Sequence, residues 1–220
     1  MGVVAYFTAE IGLWSELHTY SGGLGVLAGD HVKSAADDEL PLVGVTLLYR
    51  RGYGRQHLDQ NGIQTETYRD LDPAKHLKDT GVILSLPLDG TELLARVWKA
   101  EIRGVTGHTV PVFFLDTFHP ENSERHLNLG LTLYGGDDWV RIRQEYLLGV
   151  GGVRLLEQMG YDVDGLHLNE GHCTFALLEM LGKGWSREEL AKRVLFTTHT
   201  PVPAGHDLSL IHISEPTRPA

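Results

Sequence analysis

The 220-residue chain has 42% apolar and 22% charged residues, the balance of a globular protein that can bury a sizeable core. Its formal net charge of -10 argues against a nucleic-acid partner or an anionic membrane surface, because either would favour a basic face. No apolar run approaches the roughly 20 residues of a membrane span. The single cysteine, Cys173, excludes an internal disulfide framework, so a cytoplasmic location is expected.

A glycine-rich turn joins the first predicted strand to the first predicted helix. Val3–Phe7 is a run of β-branched and aromatic residues that predicts a buried strand, and Gly25–Asp37 has a helical pattern. Between them lies the turn Ser21–Gly25, with three glycines. The first amides of a helix have no partner within it, and the helix dipole is positive there, so such a turn can hold an anion. A purely structural tight turn is the alternative.

The rest of the chain alternates strands and helices, which predicts an α/β protein with a parallel sheet. Further strands are predicted at Leu42–Tyr49, Val82–Leu86, Leu93–Trp98, Val110–Leu115, Leu166–Leu168 and Val194–Thr198. Helices are predicted at Trp139–Met159, at Cys173–Leu181 and after a capping box, Ser186–Glu189. The pair Asp89-Gly90 predicts a tight hairpin turn, whereas Leu58–Lys78 and Asn122–Asp138 have irregular or loop-like patterns.

Two polar groups lie where predicted strands end. Asn169, Glu170 and His172 follow one strand, and Phe196–Pro201 contains the end of another. Ligands of open α/β sheets bind beyond the carboxyl ends of strands, and amide, carboxylate and imidazole groups suit a polyhydroxylated ligand. The structural alternatives are a Glu170 that only contacts the next helix N-terminus, a core-packed His172 and a threonine-rich turn.

Several other site types do not fit the spacing. Gly23, Gly25 and Gly29 miss the dinucleotide fingerprint, and no Lys-Ser/Thr pair follows, as a nucleotide P-loop requires. His172 and Cys173 are adjacent, which is not zinc-ligand spacing, so no metal site is predicted. We expect Cys173 to be a small buried residue rather than a nucleophile.

Several blocks occur in a single order along the chain: Ala5–Glu10, Tyr20–His31, Pro41–Val45, Leu48–Tyr53, Leu133–Asp137, Arg143–Glu145, Leu168–His172 and Thr198–Asp207. Together they resemble the α-glucan phosphorylase family, which includes glycogen, starch and maltodextrin phosphorylases. The pattern is closer to the shorter bacterial and archaeal type. The resemblance covers about residues 3–207, and several ordered blocks are far more specific than a single motif.

The resemblance implies an α/β fold, specifically the Rossmann-like N-terminal half of a GT-B glycosyltransferase. Residues 1–207 are then a partial N-terminal domain. Residues 208–220 resemble a translated sequencing adapter and are expected to be a non-native tail, with a native flexible C-terminus as the alternative. The implied cofactor, pyridoxal phosphate, is attached to a lysine of the missing C-terminal domain, so no lysine of this chain is nominated. The full-length enzyme could form a homo-oligomer.

The resemblance also assigns residues on the phosphate side of the site. Gly22, Gly23 and Leu24 match the glycine loop whose backbone amides face the substrate phosphate, beside the cofactor phosphate. Glu10 matches an acidic residue near that loop and is a catalytic candidate. This agrees with the anion site expected from the helix terminus itself.

On the sugar side, Glu170 and His172 match an acidic residue and a histidine that line the catalytic site. Here glutamate stands where the animal enzymes have aspartate. His199 matches the histidine that hydrogen-bonds the glucosyl unit at the cleavage point. The loop Gly135–Asp138 matches a mobile substrate-gating loop, and its Asp137 is a weaker nomination because the local similarity is poor.

The implied reaction is reversible phosphorolysis, in which a terminal α-1,4-linked glucosyl residue is transferred to inorganic phosphate as α-glucose 1-phosphate. The partners are therefore an α-1,4-glucan, phosphate and the missing domain, and this chain alone is expected to be inactive. One alternative is a nucleotide-sugar-dependent synthase-like GT-B domain, which the blocks Asn169–His172 and Thr198–Pro203 disfavour. A non-catalytic glucan-binding module and a dinucleotide-binding domain are the others.

Overall fold

The computed structural model describes residues 2–52 and 54–199, and a seven-stranded sheet forms the middle of the molecule. In chain order the elements are β1 (Val3–Thr8), α1 (Gly23–Asp37), β2 (Leu42–Leu47), β3 (Arg55–Leu58), β4 (Gln64–Thr67), β5 (Lys78–Leu88), β6 (Thr91–Arg103), β7 (Thr109–Asp116), α2 (Glu124–Asn128), α3 (Asp138–Tyr146), α4 (Gly152–Gln158), β8 (Val163–Asn169), α5 (Phe175–Gly182), α6 (Arg187–Arg193) and β9 (Val194–Thr197). A π-helical turn, Leu147–Gly151, joins α3 to α4.

The sheet is mostly parallel, with an antiparallel meander at one side. Its order is β5-β6-β7-β2-β1-β8-β9, and the pairs from β7 through to β9 are parallel. The strands β5 and β6 form a long hairpin across Asp89 and Gly90, which both have positive φ, as a type I′ turn requires. The sheet therefore has the mixed α/β architecture that is compatible with a Rossmann-like fold.

Helices cover both faces of the sheet, because side chains alternate between the faces along each strand. In β1, Phe7 packs with the apolar residues under α3, α4 and α5, whereas Tyr6 packs with those under α1. All six residues of β2 are buried, as expected for a strand enclosed on both sides. The parallel strands are consequently held by two cores, and their carboxyl ends form the edge at which the site lies.

The predicted strands and helices are confirmed, with shifted ends. The helix α1 begins at Gly23, two residues before the predicted start, and the Ser186 capping box has both of its hydrogen bonds. Two predictions were wrong: the polar segment after residue 54 contains the hairpin β3–β4, and the expected loop at 122–138 contains α2. Every residue of β3 and β4 is exposed, so these strands lack the apolar alternation that identifies a strand.

Some predictions fall outside the described residues. The block Thr198–Asp207 is described only to His199, and the tail 208–220 lies wholly outside. Within the described part of the chain, no helix has the length and apolar character needed to cross a membrane.

Three aromatic rings meet between α1 and the sheet. The ring centres of Tyr6 and His31 are 4.7 Å apart, and His167 lies 4.9 Å from Tyr6 and 5.0 Å from His31. Burial lowers the pKa of His167 to about 4, and His31 and His199 add to this shift. Burial also lowers the pKa of His31. The native structure therefore keeps both imidazoles neutral at neutral pH.

The neutral histidines predict that stability falls in mildly acidic solution. An unfolded histidine binds a proton near pH 6.5, whereas native His167 does so only near pH 4, so the unfolded state is favoured progressively as pH falls through this window. Thermal unfolding of the chain between pH 7 and 4.5 should therefore show a smaller drop in Tm for His167→Gln than for the wild type. The exposed His57→Gln is the control, and equal drops in all three proteins would contradict the expectation.

Candidate functional site

Three neighbouring strands bring their carboxyl ends, and the residues that follow them, to one edge of the sheet. Thr8 of β1 pairs with Asn169 of β8, which pairs with Thr197 of β9. The Asn169 side-chain amide donates a hydrogen bond to the Thr8 hydroxyl at 3.1 Å. The candidates Glu10, Glu170 and His199 follow these paired residues within two positions, so the topology places all three along a single edge.

The glycine turn leaves the start of α1 open. Gly22 has an extended backbone, and no side chain caps the helix. A Cβ atom on Gly22 or Gly23 would have no neighbour within 4 Å, whereas one on Gly29 would overlap the backbone of Gly12. Gly29 thus permits close internal packing, while Gly22 and Gly23 border free space. The turn has the shape of an anion site made from backbone amides.

The carboxylate of Glu10 lies beside this turn and is 2% exposed. Its Oε2 accepts a hydrogen bond from the backbone N–H of Ser21 at 2.7 Å, and its Oε1 accepts one from the Tyr134 hydroxyl at 2.8 Å. Both oxygens therefore contact protein donors. Glu10 is therefore a positioning residue, which holds the turn by accepting the hydrogen bond from the Ser21 N–H.

Glu170 has an unusual backbone and a buried carboxylate. Its φ is +71° and its ψ is 171°, a region that glycine almost alone adopts, and such strain typically costs about 1–3 kcal/mol. Its Oε1 accepts a hydrogen bond from the His199 N–H at 2.5 Å, and its Oε2 accepts one from the Thr198 hydroxyl at 3.2 Å. The residue thus holds the end of β9, and with it the exposed His199, at the site edge.

The imidazole of His172 is contacted by a guanidinium. Arg141 Nη2 lies 3.4 Å from His172 Nε2, and its Nε lies 3.7 Å from a carboxylate oxygen of the buried Glu145. Because arginine can only donate, Nε2 of His172 is the accepting atom in this contact. The ring centre of Tyr134 lies 6.0 Å from that of His172, so one tyrosine contacts both Glu10 and the neighbourhood of His172.

A cavity of about 120 Å³ lies behind the loop Gly135–Asp138, between Tyr134, His172 and helix α3. Asp137, the weaker nomination, accepts a hydrogen bond from the Val140 N–H at 3.1 Å and so caps α3. Asp137 therefore has a structural role as the N-cap residue of α3.

The sequence interpretation missed Tyr134 and Arg141. Tyr134 was visible only as part of the block Leu133–Asp137, and its positive φ and its contact with Glu10 have no local signal. Cys173 is buried, as expected, and burial raises the pKa of its thiol. Within residues 2–52 and 54–199, no group of three histidine, cysteine or acidic side chains could hold a metal ion.

The chain is similar to one part of several longer proteins. It is 38% identical to a maltodextrin phosphorylase of Thermococcus litoralis and 40% identical to a glycogen phosphorylase of Mycobacterium tuberculosis, each over 93% of this chain and 26% of the relative. A glycogen phosphorylase of Aquifex aeolicus is 34% identical, over 96% of this chain and 32% of its own length. The chain thus spans about a quarter to a third of these relatives. No family model matches it.

Removing the Glu170 carboxylate should release the end of β9. Glu170→Ala eliminates a charged acceptor, and hydrogen bonds to charged groups contribute about 1.5–3 kcal/mol. We therefore expect amide hydrogen exchange at His199 to accelerate by about tenfold or more, measured by mass spectrometry of peptides that cover 195–199. Glu170→Gln keeps one carbonyl acceptor and should have an intermediate rate. Glu179→Ala, which breaks an ion pair with Arg154 elsewhere, is the control, and an unchanged rate in Glu170→Ala would contradict the assignment.

Proposed function

We propose that this chain, which belongs to the glycogen and maltodextrin phosphorylase family by its similarity over 93% of its length, forms one wall of a glucan phosphorylase cleft. In that cleft, a terminal α-1,4-linked glucosyl residue is transferred to inorganic phosphate, and the product is α-glucose 1-phosphate. The relatives extend well beyond the aligned part, so the remaining walls of the cleft belong to sequence that this chain does not contain.

The observation that carries the proposal is the open glycine turn at the start of α1. Gly22 and Gly23 border free space, no side chain caps the helix, and Glu10 holds the neighbouring Ser21 amide. Amide dipoles fixed in this way stabilise an anion without reorganising when it binds or when its charge develops in a transition state. We assign the phosphate to the amides of Gly22, Gly23 and Leu24.

The sugar side of the proposal rests on Glu170, His172 and His199. The Glu170 carboxylate holds the backbone of His199, so this imidazole extends from a fixed point on the site edge. Nε2 of His172 is contacted by Arg141 at 3.4 Å, which places this ring beside a cation. The two rings supply directional polar groups for sugar hydroxyls, and a glycosyl transfer passes through a positively charged, oxocarbenium-like transition state that such groups orient.

The family resemblance brings pyridoxal phosphate into the proposal, and the open turn fits the phosphate of such a group. A Cβ on Gly22 or Gly23 would have no neighbour within 4 Å, and no side chain caps the helix, so an anionic group can approach the turn. When bound, this group supplies a phosphate that exchanges a proton with the substrate phosphate. The family resemblance places the lysine that carries this group in the C-terminal domain, so we assign the attachment point to the part of the enzyme outside this chain.

The sheet supports a GT-B arrangement for the complete enzyme. Its parallel strands end at the site edge, where ligands of open α/β sheets bind. A second α/β domain opposite this edge would close the cleft. His172 and His199 would then lie on the wall that faces it, with the buried Glu10 and Glu170 positioning the glycine turn and the end of β9.

Because one wall is insufficient for catalysis, we expect the 220-residue chain alone to release no glucose 1-phosphate from glycogen and phosphate. A coupled assay with phosphoglucomutase and glucose-6-phosphate dehydrogenase measures this product directly. A complete bacterial phosphorylase assayed in parallel is the positive control. Product formation by the chain alone would show that the fragment interpretation is wrong.

Phosphate binding itself can be tested on the chain. Gly23→Ala should fold normally, because its Cβ meets nothing within 4 Å, but its methyl group should obstruct the approach of phosphate. We expect the affinity for inorganic phosphate to fall by about tenfold, as one anchoring contact with a charged ligand is lost. The measurement is a titration of the backbone amide resonances of residues 22–24 by NMR.

Gly182→Ala is the matched control, because it is also a helical glycine with no neighbour near its Cβ and it lies in α5, away from the turn. Its phosphate affinity should equal that of the wild type. If tens of millimolar phosphate leave the wild-type resonances at 22–24 unchanged, or if Gly23→Ala binds equally well, the phosphate assignment is wrong.

A further inference from the structure

We infer that Tyr134 is a positioning residue that couples the loop Gly135–Asp138 to the glycine turn through the carboxylate of Glu10. The two segments are then ordered or loosened together. The inference rests on the proposed function only for what the turn binds, since the coupling itself depends on the side chains of Tyr134 and Glu10 and on the backbone N–H of Ser21. Nothing in the family resemblance assigns a role to Tyr134.

The loop is anchored at both ends by hydrogen bonds, and Tyr134 adds a hydrogen bond from its hydroxyl to Glu10. Before the loop, the Leu133 N–H donates a hydrogen bond to the Gly52 carbonyl at 3.2 Å. After its glycines, Asp137 caps α3. Gly136 has a φ of +92°, which glycine adopts readily. Glycine has no side chain, so this residue adds no side-chain contact to the loop. The hydroxyl of Tyr134 adds a hydrogen bond between this short segment and Glu10 at the site edge.

Tyr134 itself adopts a conformation that needs a compensating interaction. Its φ is +56°, in the left-handed region, which costs a non-glycine residue about 1–2 kcal/mol. The residue is 48% exposed, yet its hydroxyl reaches the nearly buried Glu10. Although the ring is partly exposed, burial of the hydroxyl end and the adjacent Glu10 raise the pKa of Tyr134, so the hydroxyl keeps its proton and remains a donor at physiological pH.

Glu10 transmits the contact because its carboxylate has little room to move. Its Oε2 lies 3.0 Å from the position that a Cβ on Gly25 would occupy, so the first turn of α1 packs directly against it. Loss of the Tyr134 donor leaves Oε1 buried and short of a hydrogen bond, which favours a rotated or more mobile carboxylate. The Ser21 N–H at Oε2 then loses its fixed acceptor, and the turn loosens with it.

The coupling is reciprocal, because a contact that orders two segments links their equilibria in both directions. An anion that orders the glycine turn favours the position of Glu10 that accepts from Tyr134, and so favours the arrangement of the loop seen in this structure. The loop in turn lines the cavity beside His172. Occupation of the phosphate side would thereby organise the sugar side of the site.

The test is amide hydrogen exchange of the whole chain, followed in peptides that cover 20–25 and 133–138. Tyr134→Phe removes only the hydroxyl, and we expect exchange to accelerate by about threefold or more in both segments, since one charge-assisted hydrogen bond is lost. Tyr146→Phe is the matched control, because its hydroxyl donates to the Pro87 carbonyl at 3.0 Å away from the site. It should leave both segments unchanged. Acceleration confined to 133–138 in Tyr134→Phe would overturn the coupling.

A second variant guards against an effect on folding alone. Glu10→Gln removes the charge and should accelerate exchange in the same two segments. In the double variant, Tyr134→Phe should add little further acceleration, because both substitutions disrupt the same contacts between Tyr134, Glu10 and the Ser21 amide. Additive effects would contradict the inference. The Tm of each variant, compared with that of Tyr146→Phe, shows whether the global fold is retained.

Inorganic phosphate separates this inference from the proposed function. If phosphate slows exchange at 20–25 and also at 133–138 in the wild type but slows only 20–25 in Tyr134→Phe, both are supported. If phosphate has no effect while Tyr134→Phe still loosens both segments, the coupling stands and the phosphate assignment fails. If phosphate protects the turn and Tyr134→Phe behaves as the wild type, the assignment stands and the coupling fails.

Discussion

The buried carboxylate of Glu10 is the constraint on which the site depends. A charge at 2% exposure is tolerated only when donors replace the water it has lost, and here these are the Ser21 amide and the Tyr134 hydroxyl. The two donors belong to segments more than a hundred residues apart, so satisfying one charge fixes their relative position. The glycine turn, the loop before α3 and the end of β1 are held as a unit for this reason.

The sheet order supplies the second part of the arrangement. Because β1 lies between β2 and β8, and β8 pairs with β9, residues from positions 8, 169 and 197 become neighbours at one edge. Glu170 extends this edge at the expense of a strained backbone, and its carboxylate recovers part of that energy by accepting from His199 and Thr198. Strain at a site edge, away from the cores, is consistent with a functional requirement there.

The elements with strong local patterns could be predicted from the sequence, and the contacts that complete the site could not. Apolar runs predicted β1 and β2, the capping box predicted α6, and the glycines predicted the open start of α1. The hairpin β3–β4 has no apolar alternation, so its pairing had no signal. The contact between Glu10 and Tyr134, and that between Arg141 and His172, depend on tertiary placement across 124 and 31 residues. The positive φ of Glu170 is likewise set by its surroundings.

The electrostatics of this wall indicate what the opposite wall has to supply. Within the described residues, the turn offers neutral amide dipoles, while Glu10 and Glu170 add two carboxylates at the same sheet edge. The nearby cation, Arg141, contacts His172 and the carboxylate of Glu145 and is therefore partly neutralised. A phosphate bound to amides alone would be oriented but poorly neutralised in a chain of net charge -10. Strong binding in the proposed cleft thus needs basic side chains on the facing wall, whereas the amides of this chain alone should bind phosphate only weakly.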